Sequence, residues 1–81
     1  MSLSFDQSEA HLSGFVGVED AETLFAWLTE QPQAQLHLSE LNHLHAACLQ
    51  VLMLLQPNVA SWPNDADLFA WLQAALRYEG V

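Results

Sequence analysis

The chain has 81 residues, with ten Asp or Glu against a single basic side chain, Arg77, and a formal charge of −9 at pH 7. With no lysine and one arginine, it cannot build the basic stripe that neutralises nucleic-acid phosphates or docks on anionic lipid, nor supply a P-loop or Schiff-base lysine. At this length it is expected to form one domain, residues 1–81, that buries only about 60% of the surface its unfolded form exposes, while 52% hydrophobic content with three Trp and four Phe points to a packed core under an acidic exterior.

Leu3 and Phe5 alternate with Ser2, Ser4 and Asp6, then Gln7-Ser8-Glu9 offers a turn before Ala10, Leu12 and Phe15, a pattern that predicts two short strands in a hairpin. Gly14 and Gly17 mark changes of direction. Val18, Ala21, Leu24, Phe25 and Leu28 recur at helical spacing, with Glu19, Asp20 and Glu22 in the first turn where the dipole favours acids, so a helix is predicted up to Gln31-Pro32. Leu36 and Leu38 alternate with Gln35, His37 and Ser39 as a short strand, followed by a loop over Glu40 to His43. From His45 or Ala46 to Leu55 the residues are apolar on nearly every face, as in a helix wedged between layers, and Pro57-Asn58 ends it. This run is far shorter than the ~20 residues that span a bilayer. Val59 to Trp62 predicts a last strand, and Asn64 or Asp65 caps a helix carrying Leu68, Trp71, Leu72, Ala75 and Leu76.

The expected fold is therefore α/β in the order ββαβαβα: a four-stranded, mostly parallel sheet with an initial hairpin, right-handed crossovers and about three helices. At this length part of the second sheet face is expected to stay uncovered and to leave apolar surface for a partner or a second copy. Asp20 to Leu28 echoes Asp65 to Leu72, which reads as two acid-started amphipathic helices drawing on one vocabulary, with a tandem repeat as the other reading.

Chemistry-bearing residues are few. Cys48 is the only cysteine, so no internal disulfide forms, and no basic, apolar and small-residue succession of a signal peptide opens the sequence; a reducing cytoplasm is inferred. His37, His43, His45 and Cys48 carry the donor types that zinc uses, although H-x-H-x-x-C matches no strong zinc signature. Placed inside an apolar helix, Cys48 reads as a small core side chain. Ser39 with His37 or His45 lacks a nucleophile-elbow pattern, and Glu19, Asp20 and Glu22 read as a solvated helix start, so no enzymatic activity and no cofactor are expected.

The segment from Ala34 to Leu52 resembles the signature of STAS domains, the family of anti-sigma factor antagonists. There a strand ending in Asp-Leu-Ser is followed by a short loop, an apolar pair, Asp-Ser, a small residue, Gly and a helix beginning Leu-x-x-Leu. Leu36, Leu38 and Ser39 match the strand; Ala47, Leu49 and Leu52 match the helix. The phosphorylatable serine of the family falls on Ala46, its preceding aspartate on His45 and its helix-start glycine on Cys48. Alanine has no hydroxyl, so no kinase can place a charge at that position.

The resemblance implies a STAS-like interaction module of bacterial signalling without catalysis, not phosphorylatable at the family serine position, with a partner-binding surface at Gly14, Phe15, Asn42, His43, His45, Ala46 and Cys48. In the family, partners are anti-sigma kinases of histidine-kinase-like type and related signalling proteins, while other members are accessory subunits of transport ATPases. The acidic exterior suits a basic partner. Two other readings stand beside it: a small metal- or ligand-binding protein using His37, His43, His45 and Cys48, and a structural subunit that forms a homodimer through the uncovered sheet face or through Trp27, Phe69 or Trp71.

Overall fold

The computed structural model describes residues 2–76, in the order β1 (Leu3–Asp6), β2 (Glu9–Leu12), β3 (Gly14–Val16), α1 (Asp20–Glu30), β4 (Gln35–His37), β5 (Leu41–Leu44), α2 (Ala46–Leu55), β6 (Asn58–Ser61) and α3 (Ala66–Leu76). The main sheet runs β1-β2-β4-β6. β1 and β2 form the antiparallel hairpin, while β2 with β4 and β4 with β6 are parallel. The mostly parallel four-stranded sheet, the initial hairpin and the three helices expected from the sequence are all present.

Two strands were not expected. β3 and β5 pair in parallel as a separate two-stranded ribbon, so Leu41–Leu44 is a strand where a loop over Glu40 to His43 was predicted. Along Leu41–Leu44 only the two end residues are buried, with Asn42 and His43 both exposed, so the period-2 signal of a strand is missing. Pairing with β3 decides the conformation. Gly14 makes the jump from the main sheet to the ribbon: it sits at φ +62°, a left-handed conformation that disfavours a side chain even though there is open space where a Cβ would stand.

Local contacts mark the start of each helix and the end of α2. The Asp20 carboxylate accepts from the Ser2 hydroxyl at 2.8 Å and from the Gly17 amide at 3.1 Å, tying α1 to the chain before it. His45 caps α2, which ends at Gln56 in the left-handed region, with the Gln56 amide donating to Leu52. Asp65 caps α3 by accepting from the Leu68 amide at 2.9 Å. The two echoing segments place Leu24, Leu28, Leu68 and Leu72 in the core, but Trp27 stacks on Phe5 with centroids 4.6 Å apart while Trp71 lies at the surface. Trp27 is thus half-buried and unavailable as an exposed dimer contact.

The core lies between the main sheet and the helices, and leucine supplies most of it. Leu3, Ala10, Leu12 and Leu36 face the helices and are buried. Alternation sends Ser4, Asp6, Glu9, His11, Gln35 and His37 to the other face. That face is uncovered, as expected, but it is polar, which corrects the expectation of apolar surface there. Exposed apolar side chains sit instead on the helices, the ribbon and the turn between β3 and α1, with Phe15, Leu54 and Val18 the most exposed. No helix of the described residues is long and apolar enough to cross a membrane.

Candidate interaction surface

The β3–β5 ribbon brings together residues far apart in sequence. In register, Gly14 faces Leu41, Phe15 faces His43 and Val16 faces Leu44, with a shift between Gly14 and Phe15. The Gly14 amide donates to the Glu40 carbonyl at one end, and the His45 amide donates to the Val16 carbonyl at the other, both at 2.9 Å. Val16 and Leu44 are buried, which turns Phe15 outward; its side chain is 74% exposed, with its ring centroid 5.2 Å from that of His43. The ring is thus exposed on one side of a ribbon whose other side is anchored in the core through Val16 and Leu44.

The chain passes directly from β5 into α2. His45, in extended conformation, accepts at Nδ1 from the Ala47 amide at 3.0 Å, so the imidazole does the work usually given to Ser, Thr, Asp or Asn at a helix start. Ala46, the first helical residue, is exposed. Gly14 and Phe15 of β3, Asn42 and His43 of β5, and His45 and Ala46 at the start of α2 are therefore spread along the ribbon and the turn that leads from it into α2, with Gly14 at the end of the ribbon away from His45.

Cys48 is not part of that surface, which corrects its placement among the contact residues. Its side chain is fully buried and donates to the Gly17 carbonyl at 3.2 Å. Burial pushes the thiol from its ordinary value of 9.0 up to about 11, helped by the negative charges of Asp20 and Glu19. A thiol held protonated is a poor nucleophile and a poor metal ligand.

The metal-ligating quartet drawn from the sequence is not brought together. His37 lies on β4 of the main sheet, His43 and His45 lie at the ribbon and the α2 start, and Cys48 is committed to Gly17. Among the described residues, the group of three or more metal-ligating side chains with ligand atoms within 4.8 Å of one another is Glu9, His11 and His37. Glu9 had been read as part of a turn; it is the first residue of β2. Glu9-x-His11 was legible as a same-face pair once Glu9 belonged to a strand, whereas the arrival of His37 beside them depends on the parallel register of β2 and β4.

Compared with family models and with curated proteins, the chain shows no match.

Proposed function

We propose that the chain is a non-catalytic, STAS-like protein-interaction module whose contact surface is the exposed side of the β3–β5 ribbon and the first turn of α2. The observation that carries this reading is Phe15, 74% exposed with its ring beside that of His43, on a ribbon that leads directly into the exposed Ala46 at the start of α2. Those residues come from two segments that the STAS resemblance assigns to one surface. Ala46 in place of the family serine leaves the module constitutively able to bind, with regulation on the partner's side.

The occupant fitting this surface is a protein with an apolar socket for Phe15 and a basic rim. Val18 and Phe25 add exposed apolar area, while Glu19 and Glu22 lie among them. An anti-sigma or histidine-kinase-like signalling protein, or the ATPase of a bacterial transporter, is the partner class that the resemblance implies, in a cytoplasmic setting.

The test is isolation of the partner with the full chain from its native cells, identification by mass spectrometry, and rebinding of the purified partner. Ala46→Glu and Phe15→Asp are expected to weaken rebinding by at least about tenfold, since each puts a charge into the contact. A partner that rebinds both folded variants as tightly as the wild type would remove this surface from the interface.

A further inference from the structure

We propose that Glu9, His11 and His37 form a binding site for one divalent transition-metal ion of the zinc class on the open face of the main sheet. The site does not rest on the interaction reading, because it lies on β2 and β4 and shares no residue with the ribbon surface.

Strand geometry assembles the ligands. Glu9 and His11 are two apart on β2, so their side chains leave the same face. The parallel pairing of β2 with β4 sets His37 directly opposite His11 and Gln35 opposite Glu9. The residues between the ligands point the other way: Ala10 and Leu36 are both 0% exposed in the core. Those anchors hold the two strands in place, so the ligands stand on rigid backbone in the interior of the sheet, where β1 and β6 flank them.

The side chains have already converged. The imidazoles of His11 and His37 are stacked, with centroids 4.4 Å apart and planes 10° from parallel. His37 Nε2 lies 2.9 Å from Glu9 Oε1, and one ligand atom from each of the three residues falls within 4.8 Å of the others. A tetrahedral ion with bonds of about 2.1 Å holds its ligands about 3.4 Å apart. Rotating exposed side chains by roughly an ångström closes that gap, and the strands need not move. On entry the ion takes the place of the hydrogen bond between His37 and Glu9: Nε2 binds the metal without a proton, and the neutral imidazole carries its one N–H on Nδ1, exchanging protons with solvent as needed.

Donor chemistry selects the ion. Two imidazoles and one carboxylate suit Zn²⁺, Cu²⁺ or Ni²⁺ in preference to the oxygen-seeking Mg²⁺ and Ca²⁺. Three protein ligands leave a fourth position for water or for a donor from another molecule. Asp6, paired with Glu9 across the hairpin, adds negative potential beside the site.

The test titrates the full chain, without a histidine tag, with ZnCl₂ by calorimetry, and with CoCl₂ by visible absorption. One Zn²⁺ per chain is expected, with Co²⁺ giving ligand-field bands of a low-coordinate site. Glu9→Gln, His11→Gln and His37→Gln should each weaken Zn²⁺ binding by at least about tenfold, while His43→Gln leaves it unchanged. In the wild-type chain, Zn²⁺ should shift the ring resonances of His11 and His37 and leave those of His43 and His45 in place; this readout needs no variant to fold. Absence of saturable Zn²⁺ uptake, binding that survives loss of His11 and His37, or ring shifts confined to His43 and His45 would overturn the assignment.

Discussion

The Cys48 thiol donates to the Gly17 carbonyl at 3.2 Å and thereby pins the first turn of α2 to the loop joining β3 to α1. This buried contact adds to the bond between the His45 amide and the Val16 carbonyl, which joins the same two stretches of chain. It also makes folding sensitive to alkali. The folded thiol, pushed up to about 11, stays protonated over a range in which the unfolded thiol, near 9.0, ionises. The stability it contributes is complete below pH 9 and is lost as the pH rises from 9 through about 11. At about 1.4 kcal/mol per pH unit, the loss is on the order of 2–3 kcal/mol. Melting curves from pH 8 to 11 should fall more steeply for the wild type than for Cys48→Ala, and parallel profiles would contradict the account.

His45 supplies the cap of α2 through an imidazole nitrogen. Removing it with His45→Ala should cost about 1 kcal/mol, a drop of roughly 4–8 °C in Tm for a domain of this size. His45→Asp should restore or exceed the wild-type value at pH 7.5, since a carboxylate accepts the same amide and complements the positive helix end. Thermal denaturation of the two variants gives the comparison.

Gln7 at φ 55° and Gln56 at φ 52° occupy the left-handed region, where a side chain is strained. Gln56→Gly and Gln7→Gly should each stabilise the fold by roughly 0.5–1 kcal/mol, after allowing for the extra freedom glycine gives the unfolded chain. Gly14→Ala should do the reverse by about 1 kcal/mol, because φ is +62° there and open space around the Cα does not relieve backbone strain. Urea midpoints at unchanged m-value would establish these signs.

Arg77 is the only Lys or Arg in the sequence, and it lies outside the described residues. The acids therefore repel one another, and among the described residues the one close approach of a basic side chain to a carboxylate is the 2.9 Å contact of His37 with Glu9. Raising NaCl from about 10 mM to about 0.5 M should increase Tm, because screening weakens repulsion more than attraction in such a chain. A Tm that falls with salt would show that attractive pairs dominate.

The helices were legible because their signals are local: acids open α1, Asp65 caps α3, and Leu24, Leu28, Leu68 and Leu72 recur at i, i+4. β5 was not, since Asn42 and His43 break the alternation and only pairing with β3 makes the segment a strand. The polarity of the open sheet face was written in Ser4, Asp6, Glu9 and His11, but reading it required knowing that Glu9 is in the strand and not in the turn. The juxtaposition of Phe15 with His43 was anticipated only through a family resemblance. The meeting of His11 with His37 depends on a register between strands separated by a helix, which no local pattern encodes.

The outer strand β6 makes one border of the main sheet a poor template for another strand. It has four residues, follows Pro57, is followed two residues later by Pro63, and its partner β4 slips register between Leu36 and His37. A strand laid along that border would find few amides before reaching a proline that has none to offer. Growth of the sheet from molecule to molecule, the usual route from a free border to fibrils, is thereby cut short.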